Sequence, residues 1–159
     1  MMKYNEIVTK FLIDNNLSIT FMESCTSGLL ASLLTDTEGA SAIFKGSLVT
    51  YSNEEKIASG VDENIINDFG VYSRECAKAM ALTVKNKFST DVSVGITGST
   101  GNVDPNNNDS VQGEAYYCIV IDDKSFDYQI KLDVSNMSRK EIKQYYADKV
   151  YKSLWELLK

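Results

Sequence analysis

The segment that decides the fold is a strand, a polar turn and a helix that follow one another without a break. Residues 17–34 read LSITFMESCTSGLLASLL. Residues 17–22 alternate as a short strand, residues 23–28 are small and polar, and residues 29–34 form a buried apolar helix. A turn of this kind places backbone N–H groups at the start of a helix, where they can face a ligand.

The rest of the chain continues the alternation of helix and strand. Apolar periodicity and capping residues predict helices at 4–14, at 54–57 after Ser52 and Asn53, at 62–69, from Ser73, and from Ser138 to the C-terminus. Further strands are predicted at 43–51, 92–97, 113–121 and 125–134, the last two as an antiparallel hairpin. We therefore predict one domain over residues 1–159, a three-layer α/β/α sandwich with a mixed, mostly parallel sheet of about five strands.

Composition narrows the class of protein. The chain has 159 residues, 43% hydrophobic and 24% charged, as expected for one globular domain. We find no uninterrupted apolar run of about 18 residues and no signal-peptide pattern, and we expect a soluble, cytoplasmic protein with no membrane partner. The net charge of −6 without a basic stripe argues against nucleic acid, although a mononucleotide needs only one phosphate site.

The absence of histidine limits the chemistry further. With no histidine in the chain, a Ser-His-Asp triad, a Cys-His dyad and a histidine-ligated metal are impossible. The three cysteines are far apart and form no Cys-x-x-Cys pair. We expect no metal and no cofactor, and any nucleophile must take its base from lysine, a carboxylate or tyrosine.

Three polar segments are predicted to meet at one edge of the sheet. Residues 23–28, 51–56 and 98–101 each follow a strand, and ligands of open α/β sheets collect beyond the carboxyl ends of the strands. The crevice would contain a hydroxyl nucleophile, a lysine and free backbone donors. Taken singly, the residues also fit a helix cap and a solvated helix lysine, so spacing alone does not identify a reaction.

Several motifs together resemble a known family. They are ESCTSG at 23–28, EGAS at 38–41, FKGSLVTYSNEEK at 44–56, GVYS at 70–73 and ITGSTG at 96–101. In this order they are similar to the C-terminal domain of CinA, the competence/damage-inducible protein, a domain that also occurs alone as a nicotinamide-nucleotide amidase. The resemblance implies hydrolysis of nicotinamide mononucleotide to nicotinic acid mononucleotide and ammonia.

The resemblance also implies roles for individual residues. Ser24 would be the nucleophile and Lys56 its base, with Thr97 and Tyr51 orienting the lysine or the amide. Because a lysine must be neutral to accept a proton, we expect Lys56 to be largely buried. The predicted substrate-binding residues are those of the first turn, those of the second loop and two cations for the phosphate: Glu23, Cys25, Thr26, Ser27, Gly28, Gly98, Ser99, Arg139 and Lys143.

The chain departs from the family pattern in its loops. Ser27 and Ser47 replace glycines, Thr100-Gly101-Asn102 stands where the family has AGP, and a later VG is altered. Three alternatives therefore remain: Cys25 as the nucleophile, another small amide as the substrate, or a catalytically silent nucleotide-binding or protein-interaction module. We also expect a homo-oligomer, because Tyr145, Tyr146 and Tyr151 are predicted to be exposed aromatic side chains.

Overall fold

The computed structural model describes residues 1–101 and 104–159; Asn102, one of the altered loop positions, lies outside them. The helices are α1 (Tyr4–Asp14), α2 (Leu29–Thr35), α3 (Asn53–Ala58), α4 (Glu63–Phe69), α5 (Arg74–Phe88) and α6 (Arg139–Leu158), with a 3-10 turn at Ala40–Ala42. The strands are β1 (Ile19–Glu23), β2 (Leu48–Val49), β3 (Val92–Gly98), β4 (Glu114–Ile121) and β5 (Lys124–Lys131).

The five strands form one mixed sheet in the order β2-β1-β3-β4-β5. Strand β1 pairs in parallel with β2 and with β3, whereas β4 is antiparallel to both β3 and β5. Among the strands of the described residues, four therefore run in one direction and β4 runs against them. The predicted three-layer α/β/α class with a mostly parallel sheet is confirmed.

Each face of the sheet has its own helices and its own core. Helices α1, α2 and α6 pack on one face, where Ile19 and Phe21 of β1 join the main hydrophobic cluster. Helices α4 and α5 cover the other face, where Met22 of β1 packs with Met80. Since side chains alternate along a strand, Glu23 points towards the α2 side and Ser24 towards the α5 side.

The close contact between β3 and α5 depends on a glycine. A Cβ atom at Gly95 would lie 2.6 Å from the Ala81 nitrogen and closer still to the Ala77 carbonyl oxygen. The Ser93 hydroxyl, two residues earlier on the same face, donates to the Ala81 carbonyl at 2.8 Å. Without a side chain at Gly95, α5 can lie directly on the strand that carries Thr97.

Two strands differ from their predicted bounds by three residues or more at one end. Strand β2 covers Leu48–Val49 instead of residues 43–51, because the preceding segment meets β1 through single contacts such as Thr20 Oγ1 to the Gly46 carbonyl, 2.7 Å. Strand β5 ends at Lys131 instead of residue 134, since the chain turns at Asp133, whose carboxylate accepts from the Ser135 amide. None of the helices within residues 1–101 and 104–159 is both long and apolar enough to cross a membrane.

Candidate active site

Ser24 lies directly after β1, in a turn that fixes its backbone on both sides. Its amide donates to the Ile96 carbonyl of β3 at 3.1 Å, which extends the parallel ladder by one residue. Its own carbonyl accepts from the Ser27 amide at 3.0 Å. The Ser24 residue is 7% exposed. Its hydroxyl is therefore held at the carboxyl end of the sheet, on the α5 side.

Lys56 reaches this hydroxyl from helix α3. Ser52 caps the helix by accepting from the Glu55 amide at 3.0 Å, which fixes the turn that carries the lysine. The Lys56 Nζ lies 3.2 Å from the Ser24 Oγ and donates to the Thr50 carbonyl at 2.9 Å. The Thr50 amide in turn donates to the Glu23 carbonyl at 2.8 Å, so the acceptor is tied to β1.

The environment of Lys56 favours the uncharged amine. The residue is only 2% exposed. Burial lowers the pKa of Lys56 below the usual lysine value, although the negative charges that Cys76, Cys25 and Asp104 can carry act in the opposite direction. A lysine of lowered pKa in contact with a serine hydroxyl is the arrangement that a general base for serine requires.

Thr97 is the neighbour of Ser24 across the sheet. Glu23 pairs with Ile96 in the parallel register, so the next residues on each strand, Ser24 and Thr97, lie side by side on one face. Thr97 is 1% exposed, and its Oγ1 has no hydrogen-bond partner among the described residues. A buried hydroxyl without a partner is costly, so this group is suited to bind a polar atom of a substrate.

Glu23 and Thr26, expected to bind substrate, instead build the turn itself. Both are fully buried. The Glu23 carboxylate accepts from the Thr26 hydroxyl at 2.6 Å, from the Leu30 amide at 2.8 Å and from the Ala31 amide at 3.1 Å. Glu23 points to the opposite face from Ser24. Its carboxylate therefore accepts from the first backbone amides of α2, which were expected to face a ligand.

The remaining turn residues lie at the surface of the site. Cys25 and Ser27 line a cavity, and Gly28 has φ +99°. Ser27, which replaces a glycine of the family pattern, has φ +45°, in the left-handed region that glycine adopts most easily. Burial and the Glu23 charge raise the pKa of Cys25 to about 12, so its thiol is protonated near neutral pH and is a poor rival to Ser24.

Two cavities open beside the buried pair. The larger, about 650 Å³, is lined by residues of α3 and of the loop after β3, and the smaller, about 360 Å³, by residues of the first turn and of α6. Tyr51 and Arg139 line both, and an Arg139 Nη2 donates to the Tyr51 hydroxyl at 3.2 Å. Ser24 and Lys56 are buried and line neither cavity.

Two more of the predicted site residues, Lys143 and Tyr51, lie at the cavities and do not contact the buried pair. Lys143 lines the smaller cavity together with Lys140. Tyr51 is 62% exposed, and the structure places its hydroxyl at Arg139, whereas the Lys56 amine contacts Ser24 and the Thr50 carbonyl. Tyr51 therefore does not orient the lysine, contrary to one of the two roles predicted for it.

Gly98 and Ser99 also have structural tasks. A Cβ atom at Gly98 would lie 2.6 Å from the Ala115 Cβ of the neighbouring strand, so the position is closed by β4. The Ser99 carbonyl accepts from the Tyr146 hydroxyl of α6 at 2.7 Å. Both residues fix the loop that leads to Thr100, which lines the larger cavity.

Two residues of the site were missed by sequence reasoning. Thr50 acts through its carbonyl, and a backbone role leaves no trace in the residue type. Asp104 lines the larger cavity, where its carboxylate accepts from the Tyr72 hydroxyl at 2.7 Å. It belongs to an asparagine-rich loop without a spacing pattern, although an acidic residue beside Pro105 is a signal for a fixed turn.

Comparisons with known proteins agree with the architecture. A family model described as the CinA C-terminal domain matches residues 1–158. The chain is 35% identical over 156 residues to the Protein MG115 homolog of Mycoplasma pneumoniae, covering 98% of this chain and 97% of that protein. It is 43% identical over 98 residues to a CinA-like protein of Fervidobacterium nodosum, where the match spans 61% of this chain but only 24% of that longer protein.

A solved structure has the same fold. A competence-damaged protein (CinA) superfamily protein from Klebsiella pneumoniae superposes with a TM-score of 0.90, covering 98% of this chain and 95% of that one, at 19% sequence identity. At this identity the likeness concerns the fold alone.

Proposed function

The chain belongs to the CinA C-terminal domain family, and from this premise together with the geometry of Ser24 and Lys56 we propose that it is an amidohydrolase. Its substrate would be nicotinamide mononucleotide, converted to nicotinic acid mononucleotide and ammonia. The single observation that carries the proposal is the 3.2 Å contact between the Ser24 Oγ and a buried lysine amine. In a chain without histidine, this is the pairing that can activate a serine.

The first half of the reaction uses the lone pair of Lys56. The neutral amine takes the Ser24 proton as the oxygen attacks the carboxamide carbon, and the resulting ammonium then protonates the departing nitrogen, which leaves as ammonia. The Thr50 carbonyl holds the amine during both transfers.

In the second half of the reaction a water molecule attacks the acyl-serine ester, with Lys56 again as the base. This step releases the carboxylate product and restores Ser24.

The negative oxygen of the tetrahedral intermediate needs hydrogen-bond donors. In the described turn, the Ser27 amide already donates to the Ser24 carbonyl, and Gly28 interacts with the Glu23 carboxylate. We assign the oxyanion role to the amides of Cys25 and Thr26, which adjoin the nucleophile and would exchange their interaction with the Cys25 thiol for one with the oxyanion. Loss of one such donor in a protease costs about 2.7–4 kcal/mol of transition-state stabilisation.

Recognition of the nucleotide is assigned to the two cavities. Their sizes lie within the range of about 300–1,000 Å³ that is usual for small-molecule sites. Arg139, Lys140 and Lys143 give the smaller cavity three cations for the substrate phosphate. The ring of Tyr51 offers an aromatic surface between the cavities. Tyr51 and Arg139 are exposed side chains, so breaking their contact when a ligand enters costs little.

The test is ammonia release from nicotinamide mononucleotide by the wild type and by Ser24→Ala and Lys56→Ala proteins. We expect both variants to lose about a thousandfold or more in kcat, as when a nucleophile or its base is removed from other serine hydrolases. Lys45→Ala is the matched control, because Lys45 is an exposed lysine outside the site. Undiminished ammonia release by either site variant would refute the mechanism.

One observation favours a second candidate, a nucleotide-binding module without turnover. Ser27 has a left-handed backbone at a position where the family pattern has glycine, so an exposed side chain is added to the turn that carries the nucleophile. Thermal stabilisation by nicotinamide mononucleotide without ammonia release would select this module. In that case ammonia release should next be measured for the Ser27→Gly protein, which restores the glycine of the family pattern.

A further inference from the structure

We propose that Asp104 is a specificity-determining residue that recognises positive charge on the ring bearing the scissile carboxamide. Nicotinamide mononucleotide carries a pyridinium cation in addition to its phosphate. The proposal rests on the proposed function and extends it: the site selects amides of cationic heteroaromatic rings over amides of neutral ones.

The Asp104 carboxylate is held in the wall of the larger cavity by three neutral donors. Its Oδ2 accepts from the Tyr72 hydroxyl and from the Asn107 side chain, each at 2.7 Å, and its Oδ1 accepts from the Asn106 amide at 2.9 Å. Hydrogen bonds to the ionised form favour it, and the pKa of Asp104 is lowered although burial acts against this. The donors orient the carboxylate without cancelling its charge.

The loop that carries Asp104 is tied to the helix that carries the base. The side-chain amides of Asn107 and Asn53 donate to each other, at 2.9 Å and 3.3 Å. Asn53 is the first residue of α3, and Lys56 follows one turn later on the same side of the helix. The carboxylate therefore has a fixed position relative to Lys56 and Ser24.

Asp104 and Lys56 are close enough to influence each other's ionisation. The Asp104 charge acts to raise the pKa of Lys56, and the Lys56 charge acts to lower that of Asp104. A cationic ring bound near both groups is attracted by the carboxylate and disfavours the ammonium form of the lysine. The charge that identifies the substrate therefore also favours the neutral base that its hydrolysis needs.

A second carboxylate lines the same cavity but lacks these features. Glu54 is exposed, so solvent and salt screen its charge. Asp109 lies in the same loop as Asp104, is exposed, and is not among the residues that line the cavity. Asp109 thus provides a control for loss of one negative charge from the loop.

The experiment measures binding to Ser24→Ala protein by calorimetry, with nicotinamide mononucleotide and its reduced form as ligands. The two share ribose and phosphate, but the reduced dihydropyridine ring is neutral. When Asp104→Asn is added to the Ser24→Ala protein, the Kd of the cationic ligand should rise about tenfold and the Kd of the neutral ligand should stay unchanged. Asp109→Asn should change neither Kd, and Asp104→Glu, which keeps the charge, should retain the preference for the cation.

The possible failures are distinguishable. If Asp104→Asn weakens the binding of both ligands equally, or weakens neither, the role of Asp104 is overturned, even if the wild type releases ammonia. If binding is selective for the cationic ligand and depends on Asp104, but the wild type releases no ammonia, the role of Asp104 is supported and the amidase proposal is refuted. If the Ser24→Ala protein binds neither ligand and the wild type releases no ammonia, both proposals fail.

Discussion

At the scale of single residues, the buried amine of Lys56 sets the pH range of the proposed reaction. Only the neutral amine accepts the Ser24 proton, and burial lowers its pKa below the usual lysine value. We expect kcat/KM for ammonia release to be low when Lys56 is protonated and to rise as the pH increases through this lowered pKa. The measurement is kcat/KM between about pH 5 and pH 10, a range that ends just below the ordinary lysine pKa of about 10.4.

Lys56→Arg is the control for this pH dependence. Because arginine stays protonated over the whole range, the variant should release no ammonia at any pH. A wild-type kcat/KM that falls as the pH rises from acid to neutral would contradict the assignment of a lysine base.

The residue scale also shows where sequence reasoning stops. The motifs place a hydroxyl and an amine after neighbouring strands, and the structure brings the Ser24 Oγ and the Lys56 Nζ within 3.2 Å. The Thr50 carbonyl could not be predicted, since any residue supplies one. That Glu23 binds substrate stays a prediction, and the contacts of its side chain differ from it because alternation along β1 turns Glu23 to the face opposite Ser24.

At the scale of elements, the Glu23 carboxylate holds the start of α2 in place. Glu23→Ala leaves the Thr26 hydroxyl and the amides of Leu30 and Ala31 without their buried acceptor. We expect the free energy of unfolding to fall by about 3 kcal/mol, because each unpaired buried donor costs about 1–3 kcal/mol and the chain relaxes in part. Urea denaturation measures this change.

Glu23→Gln is the matched variant, since its single side-chain oxygen can keep part of the contacts. Its loss of stability should be clearly smaller than that of Glu23→Ala. If Glu23→Ala folded with wild-type stability and yet released no ammonia, Glu23 would have to be regarded as a catalytic residue.

The elements were predictable to the extent that their ends depend on local contacts. Four helices begin at a residue whose side chain accepts from a backbone amide of the first turn, and these residues were identified from the sequence: Ser52, Asp62, Ser73 and Ser138. Strand β2 has no such local signal. Its length depends on the partner strand, which meets it at only two residue pairs, so a nine-residue prediction became a two-residue strand.

At the scale of the whole molecule, α6 connects the start of α2 with the loop that follows β3. The Tyr146 hydroxyl donates to the Ser99 carbonyl, 47 residues away, and the Tyr151 hydroxyl donates to the Leu30 carbonyl, 121 residues away. Both tyrosines are buried within the protein, so the interpretation of them as exposed aromatics was wrong. A homo-oligomer therefore stays a prediction without that support. Contacts over such distances in the sequence have no periodicity from which they could be read.

This connection predicts how a change in α6 reaches the site. Tyr146→Phe keeps the buried ring and removes one hydrogen bond, so the free energy of unfolding should fall by about 1 kcal/mol in urea denaturation. Because the Ser99 carbonyl anchors the loop that continues to Thr100 in the larger cavity, KM for nicotinamide mononucleotide should rise. The Ser24–Lys56 contact does not involve α6, so kcat should stay close to the wild-type value. Tyr145 is a half-buried tyrosine on the same helix, and the control variant Tyr145→Phe should change neither kcat nor KM. A Tyr146→Phe protein with low kcat and unchanged KM would show instead that the hydroxyl acts on the chemical step.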